Sequence, residues 1–363
     1  MANNGVSIFI MGCLALLASV VGVAIILVSV VVSCTLNIYC PEFIDIETVP
    51  APAIGQNNAA EISEPKGEFS TQDAAKSSLI FRKKLVVGYA IDTGPFSYDS
   101  SQSRGSTNDS EGIPTGLETE MIREFVRSSF DSFSGENLSD EKIENIIEWV
   151  PIFEFERIDA STRNDIDIVI GAVSHTKERC TTPERICTTV FHWQDNAALM
   201  VHKDADISSF CSPELEGKNI AVIANTTSEF ESVNSDRFAT CQPTVDYGVQ
   251  IPYSTRRQAI ESVASVSPNN TDISAVAAYI TDRRMLEFYR ENFGYSDDLK
   301  IVGKAQQPEQ YVFILKKEND GLRELLDDSV AAMMKSPQWN QWLDEYNLSS
   351  EITNSSDSLS PEE

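Results

Sequence analysis

Residues 165–179 limit what this chain can fold into more than any other stretch. The apolar run Ile166 to Ile170 predicts a buried strand, which ends on two small residues, Gly171 and Ala172. Adjacent small residues at a strand end allow another group to approach the backbone closely. We therefore expect a close contact with the backbone where this strand ends.

The turn after this strand is rich in hydrogen-bond donors. It carries the hydroxyls of Ser174 and Thr176 and the guanidinium of Arg179. A planar guanidinium matches a carboxylate with two parallel hydrogen bonds, so the natural guest of such a turn is an anion. The sequence thus predicts an anion pocket, and a carboxylate is its simplest occupant.

The stretch Asp-Ile-Val-Ile-Gly-Ala-Val-Ser-His-Thr-Lys-Glu-Arg, which ends at Arg179, resembles the signature of family 3 extracellular solute-binding proteins. These are the amino-acid-binding subunits of ABC importers. The resemblance covers roughly residues 83 to 348 and includes the segments Lys84 to Ala90, Leu215 to Ala224 and Asp272 to Leu286. It implies an α/β fold of the periplasmic-binding-protein type II, with two lobes joined by a hinge.

This resemblance also predicts how the chain is divided. Residues 41–82 contain four prolines and no hydrophobic period, which is typical of a disordered linker. The predicted divisions are a membrane anchor or signal segment at 1–40, the linker at 41–82, lobe one at 83–200 with 308–348, lobe two at 201–307, and a disordered acidic tail at 349–363.

The N-terminal region predicts attachment to a membrane. Val6 to Val32 is an uncharged apolar run, long enough for a helix that crosses the ~30 Å hydrocarbon core of a bilayer. The run is either an uncleaved anchor or a secretion signal, and we favour the anchor. The residues before Cys34 resemble a bacterial lipobox, which would place a lipid on that cysteine after cleavage. The family resemblance places the lobes on the extracytoplasmic face.

The charge balance excludes some partners. The chain has 28 basic and 55 acidic residues, a net charge of −27. Such a surface repels phosphates and anionic lipid headgroups, so we expect no nucleic-acid partner. No zinc-ligand spacing and no phosphate-binding glycine-rich loop occurs, and we expect no cofactor and no metal.

Two cysteine pairs suit the extracytoplasmic setting that the resemblance implies. Cys180 and Cys187 bracket an insertion that the family pattern lacks, and their separation suits a disulfide. In a cytosolic protein they would instead be a metal or redox pair, but no Cys-x-x-Cys spacing supports that alternative. Cys211 and Cys241 form a second candidate disulfide in lobe two.

The resemblance also implies a ligand set. Arg179, Ser174 and Thr176 would hold the α-carboxylate of an amino acid. Thr226, in a turn where Asn225 replaces the family's glycine, would be a second carboxylate contact. Asp282 follows a predicted strand and would pair with the α-ammonium, although a carboxylate at a helix N-terminus would also be stabilised by the helix dipole alone.

Selection of the ligand side chain would depend on Asp92, Thr93, Tyr98 and Arg157. Arg157 occupies a position at which several binders of acidic amino acids carry a ligand-facing arginine. The alternative, given equal weight, is a surface arginine paired with a neighbouring glutamate. Glu118 and Glu120 are interpreted as the acidic first turn of a helix rather than as catalytic groups.

The predicted function is extracytoplasmic capture of a polar or acidic L-amino acid for an ABC-type permease, with ligand-induced closure of the two lobes. The predicted ligand is thus a small molecule, and the protein is not an enzyme. Two alternatives stay open: a dehydratase-like enzyme with His175 as general base, and a membrane-tethered amino-acid sensor.

Overall fold

Two β-sheets, each carrying helices on its faces, organise the described part of the chain. The computed structural model describes residues 71–102, 112–135, 137–230, 238–239, 241, 245–266 and 275–349. Each sheet supports one lobe, so the predicted two-lobed α/β architecture is confirmed.

The lobe-one sheet has the strand order β5-β1-β6-β14-β7, and β8 pairs with another part of β14. β1 runs parallel to both β5 and β6, whereas β14 is antiparallel to its neighbours. The strands are β1 (Leu85–Ala90), β5 (Ile147–Ile152), β6 (Ile168–Ser174), β7 (Arg185–Cys187), β8 (Trp193–Asp195) and β14 (Glu309–Lys316). A small sheet of β2 (Asp92–Thr93), β3 (Ser97–Asp99) and β4 (Pro114–Thr115) follows β1.

Helices of lobe one bury their apolar stripes against this sheet. α2 (Leu117–Ser134) follows the N-cap residue Gly116, whose φ of +124° suits glycine, and it buries Leu117, Met121 and Phe125 at helical spacing. The lobe-one helices are α1 (Gln72–Arg82), α2 (Leu117–Ser134), α3 (Asp140–Ile146), α4 (Arg157–Ala160), α5 (Lys177–Cys180), α9 (Asp320–Met333) and α10 (Pro337–Glu345).

The predicted linker 41–82 is wrong at its C-terminal end, because residues 72–82 form helix α1. Thr71 caps this helix, and Ala75 and Leu79, four residues apart, are buried where it packs on α9. Arg82 at the helix end is bound to Asp167 at 3.0 Å. So short an apolar stripe depends on tertiary packing, which explains why no period was evident in the sequence. Residues 41–70 and 350–363 lie outside the described part.

Lobe two is built on the sheet β11-β10-β12-β9-β13. β10 is parallel to β11 and β12, while β9 is antiparallel to β12 and β13. The elements of this lobe are β9 (Ala197–His202), β10 (Asn219–Ile223), α6 (Thr227–Phe230), β11 (Gln250–Tyr253), α7 (Arg256–Ala264), β12 (Val276–Asp282), α8 (Arg283–Asn292) and β13 (Leu299–Val302). Apolar clusters cover both faces of this sheet.

The chain passes between the lobes at Asn196 and again between Val302 and Glu309. The two crossings are held together, because Ala305 donates its N–H to Ala197 and the Asn196 amide donates to the Ala305 carbonyl. The predicted lobe boundary after residue 200 is therefore a few residues late, since β9 already belongs to the second sheet. The chain changes sheet at Asn196, directly before the apolar run Ala197 to Val201, and that run is β9 itself.

No helix of the described residues combines the length and apolarity needed to cross a membrane. The predicted segment Val6 to Val32 and the candidate lipidation site Cys34 lie outside those residues.

Candidate functional site

Strand β6 carries the predicted small pair to the interface between the lobes. The strand extends to Ser174, four residues beyond the predicted end, so that Gly171 and Ala172 lie within it. Both have positive φ values, +127° and +52°, and the register with β14 shifts at this point. A Cβ on Gly171 would lie 2.4 Å from the Cβ of Ala90, which explains the glycine.

The backbone N–H and carbonyl groups of this small pair are hydrogen-bonded to side chains of the protein. The N–H groups of Gly171 and Ala172 donate to the buried Glu118 carboxylate at 2.5 and 3.0 Å. Their carbonyls accept from the guanidinium of Arg157, at 2.9 Å for Ala172. His192 contacts the same Glu118 carboxylate at 2.8 Å. The close approach predicted from the two small residues is therefore made by Glu118 and Arg157.

Arg179 reaches from lobe one to lobe two. Thr176 caps the short helix α5, and its hydroxyl accepts the Arg179 N–H at 3.2 Å. The buried guanidinium of Arg179 donates to the carbonyl of Ser174 at 3.3 Å and to that of Asn225 in lobe two at 3.1 Å. Asn225 has a φ of +59°, the left-handed conformation that this turn requires. Its amide donates to the Phe155 carbonyl of lobe one at 3.0 Å.

The neighbouring threonines of lobe two have different partners. The hydroxyl of Thr226, the predicted carboxylate contact, donates to the Ile223 carbonyl of its own lobe at 2.7 Å. The hydroxyl of Thr227 donates to the Glu309 carboxylate at 2.9 Å. Ser174 donates its hydroxyl to the same carboxylate. Glu309 was missed in the sequence, where it is only an acidic residue before an apolar strand.

A buried network of four charged side chains joins the lobes. Glu154 of lobe one is bound by Arg157 at 3.0 Å and by Arg256 of lobe two at 2.6 Å. Arg256 also donates to the Asp92 carbonyl at 2.7 Å and to the Tyr279 hydroxyl at 2.8 Å. Burial is the largest single effect and would lower the pKa of Arg256, but Glu154, Tyr279, Tyr289 and Asp92 together outweigh it and raise the pKa. Arg157 is thus a buried partner of Glu154 rather than a surface one.

Asp92 is the least compensated member of this network. One of its carboxylate oxygens accepts the Glu154 N–H at 2.9 Å, and the other has no hydrogen-bond partner among the described residues. Burial and the nearby Glu154 carboxylate raise the pKa of Asp92 to about 7. Burying a carboxylate without full pairing disfavours its charged form.

Arg256 is a functional residue that the sequence prediction missed, although its position in the sequence carries a signal. It is the first residue of α7, directly after the Thr255 cap, where the helix dipole disfavours a cation. A buried arginine at that position needs carboxylates from elsewhere in the fold. Glu154, which supplies one, is about a hundred residues away in the chain and is not predictable from local spacing.

Asp282 ends strand β12 at the hinge and is buried. Its charge acts on Asp195 of β8, and burial together with that charge raises the pKa of Asp195 well above its ordinary value. Asp195 accepts the backbone N–H groups of Asn196 at 2.8 Å and Arg284 at 2.9 Å. Asp195 therefore fixes the start of helix α8, on which the placement of Asp282 depends.

The remaining predicted residues lie at the edge of this region or outside it. Tyr98 packs against Phe288 of lobe two, with ring centroids 4.8 Å apart, and the hydroxyl of Thr93 donates to the Ser97 carbonyl. His175, the candidate general base, lies directly after β6, is exposed and contacts Phe191. Burial nevertheless lowers its pKa.

Both candidate cysteine pairs form disulfides in the structure. Cys180 is joined to Cys187, directly after the Arg179 turn, and Cys211 is joined to Cys241 in lobe two. In the described ranges, no group of three or more His, Cys, Asp or Glu side chains is arranged to hold a metal ion.

Comparison with known proteins agrees with this architecture. Residues 85–349 match the family described as bacterial extracellular solute-binding proteins, family 3. The glutamate/aspartate import solute-binding protein of Salmonella typhimurium is 24% identical over 293 residues, covering 79% of this chain and 82% of that protein. The Escherichia coli protein of the same name is 23% identical over 291 residues, with the same coverage.

Solved structures share the fold at lower identity. A mutant of ArgBP from T. maritima superposes with a TM-score of 0.56 at 17% identity, covering 75% of this chain and 99% of that one. An amino acid ABC transporter substrate-binding protein from Streptococcus pneumoniae, bound to L-arginine, gives 0.56 at 17% identity, with coverage of 75% and 98%. An ancestral amino acid-binding protein described as a precursor of cyclohexadienyl dehydratase gives 0.55 at 18% identity, with coverage of 75% and 99%.

Proposed function

The chain belongs to family 3 of the bacterial extracellular solute-binding proteins, and on that basis we propose that it captures a free L-amino acid between its lobes for an ABC-type permease. The observation that supports this most is the position of Arg179. Its guanidinium is buried at the lobe interface and contacts both Ser174 of lobe one and Asn225 of lobe two. A carboxylate bound to this guanidinium would lie between the two lobes.

The proposed capture uses two charged groups. Arg179, with the Ser174 hydroxyl, holds the α-carboxylate, and Asp282 neutralises the α-ammonium. Burying either ligand charge without a partner would be very costly, so both must be paired when the lobes meet. Closure then depends on the ligand, as in hinge-type binding proteins. The direct contacts between the lobes would have to open before a ligand could enter.

The proposed ligand has a polar or acidic side chain. The names of the two curated relatives, both glutamate/aspartate import proteins, support an acidic one. Arg157 is bound to Glu154 and to the carbonyls of the small pair, so an acidic side chain would have to compete for it. The unpartnered oxygen of Asp92 favours a side chain that brings a donor. Binding to the outer face of a membrane, through the N-terminal segment, remains part of the proposal.

We expect Arg179→Ala and Asp282→Ala each to weaken amino-acid binding by roughly 10- to 100-fold, because each removes one charge-assisted hydrogen-bonding group. Calorimetry on the full chain with L-glutamate, L-aspartate, L-glutamine and L-arginine would measure this and identify the side chain preferred. Arg163→Ala is the matched control, because Arg163 is an exposed lobe-one arginine paired only with its neighbour Asp165 among the described residues. An unchanged affinity in both variants would contradict the proposed contacts.

A further inference from the structure

The Glu309 carboxylate accepts hydrogen bonds from both lobes. Glu309 is the first residue of β14 and is buried. The hydroxyl of Ser174, in lobe one, donates to one carboxylate oxygen. The hydroxyl of Thr227, in lobe two, lies 2.9 and 3.0 Å from the two oxygens. A single carboxylate is therefore held between donors that belong to different lobes.

One of these donors, the Ser174 hydroxyl, is also a proposed contact of the amino-acid carboxylate. Ser174 is part of the Arg179 turn, and the Arg179 guanidinium donates to the Ser174 carbonyl. On the other lobe, Arg179 donates to the carbonyl of Asn225, two residues before Thr227. The side chain of Glu309 thus places a carboxylate on the Ser174 hydroxyl that the proposed ligand would use, and it is chemically the same group.

We propose that Glu309 is a built-in occupant of the α-carboxylate position, so that a ligand must displace it from Ser174 and Thr227 in order to bind. The inference rests on the proposed function and adds to it an intramolecular competitor. The competitor and the ligand carboxylate cannot both use the two hydroxyls in the geometry observed.

The place of Glu309 in the fold allows this displacement. It lies where the chain re-enters lobe one after its second crossing, and its backbone pairs with Asp195 next to the first crossing. Ser174 belongs to the same lobe as Glu309, whereas Thr227 belongs to the other. Opening of the lobes therefore removes the Thr227 contact and leaves the Ser174 contact in place.

Competition of this kind lowers apparent affinity in a calculable way. The apparent Kd equals the intrinsic Kd divided by the fraction of molecules whose site is vacant. If Glu309 occupies the position in about nine of ten molecules, removing it tightens binding roughly tenfold. A purely structural role predicts the opposite sign, because losing the carboxylate would disorder the two hydroxyls and weaken binding.

Glu309→Gln tests the inference. The substitution keeps the shape of the side chain but removes its charge, and we expect it to tighten binding of the α-amino acid that the wild-type chain prefers by about tenfold or more. Calorimetry on the full chain with L-glutamate and L-arginine is the measurement. Glu318→Gln is the matched control, since Glu318 is an exposed glutamate near the end of the same strand, and its removal changes the net charge equally. It should leave the affinity unchanged.

Decarboxylated ligands make the test specific to the α-carboxylate. Agmatine lacks the α-carboxylate of arginine, and 4-aminobutyrate lacks that of glutamate. The gain in Glu309→Gln should be confined to the amino acids. An equal gain for agmatine or 4-aminobutyrate would overturn the inference, because it would reflect net charge and not the shared position.

The outcomes separate the inference from the proposed function. Unchanged or weaker binding in Glu309→Gln, with clear binding by the wild type, refutes the competitor alone. Binding by the variant but not by the wild type supports it most strongly. No binding by either chain refutes both. Glu309→Asp keeps the charge but withdraws the carboxylate by one methylene, so its affinity for the amino acid should fall between those of the wild type and Glu309→Gln. Thermal unfolding of each variant checks that it is folded.

Discussion

Arg256→Ala is expected to lower the free energy of unfolding by about 3–5 kcal/mol, the usual loss when one partner of a buried ion pair is removed. The guanidinium is fully buried and lies 2.6 Å from the Glu154 carboxylate. It also donates to the Asp92 carbonyl and to the Tyr279 and Thr281 hydroxyls. Alanine would leave those acceptors buried without this donor and would remove a bridge between the lobes.

Urea denaturation of the full chain would measure this loss. The adjacent residue supplies the control, since the Arg257 side chain is 73% exposed and pairs with Glu261 one helical turn away. Exposed pairs of this kind contribute about 0.3–0.5 kcal/mol, so Arg257→Ala should change stability little. If the two variants lost the same small amount, Arg256 would not hold the lobes together.

Asp92→Asn is expected to change how stability depends on pH. The folded pKa of Asp92 is raised to about 7 by burial and by Glu154, against an ordinary value of 3.8. Between these pH values the folded state holds a proton that the unfolded state has released. Unfolding free energy therefore falls as pH rises, by about 1.4 kcal/mol per pH unit for one proton. Below pH 3.8 and above pH 7 this contribution is flat.

An asparagine cannot titrate, so the variant should gain stability relative to the wild type as pH rises from 4 to 7. Denaturation at several pH values would give the difference directly. Asp73→Asn removes an exposed aspartate of helix α1 and should leave the pH profile unchanged. Parallel profiles for wild type and Asp92→Asn would show that Asp92 is ionised throughout, with Arg256 and Arg157 compensating its charge.

The sequence was most informative where function depends on a local segment. The strand, the small pair and the Arg179 turn are consecutive in the chain, so their pattern identified the family, and the match over residues 85–349 confirms it. The two-lobed α/β fold followed from the same resemblance. Helix α1 escaped detection because its two buried residues, Ala75 and Leu79, make too short a stripe to outweigh the prolines that precede them.

What the sequence by itself determined is the family, the architecture and the donor-rich turn, because short-range order in the chain encodes strands, turns and their chemistry. What only the tertiary structure decided is which charges meet. Glu118 meets the small pair, Arg256 meets Glu154, and Glu309 meets Ser174 and Thr227. These partners are tens to more than a hundred residues apart and come together only when two sheets and two lobes pack. Charged groups pair when they lie within a few ångströms of each other in space. The number of residues between two charged groups in the sequence does not tell whether the fold brings them that close.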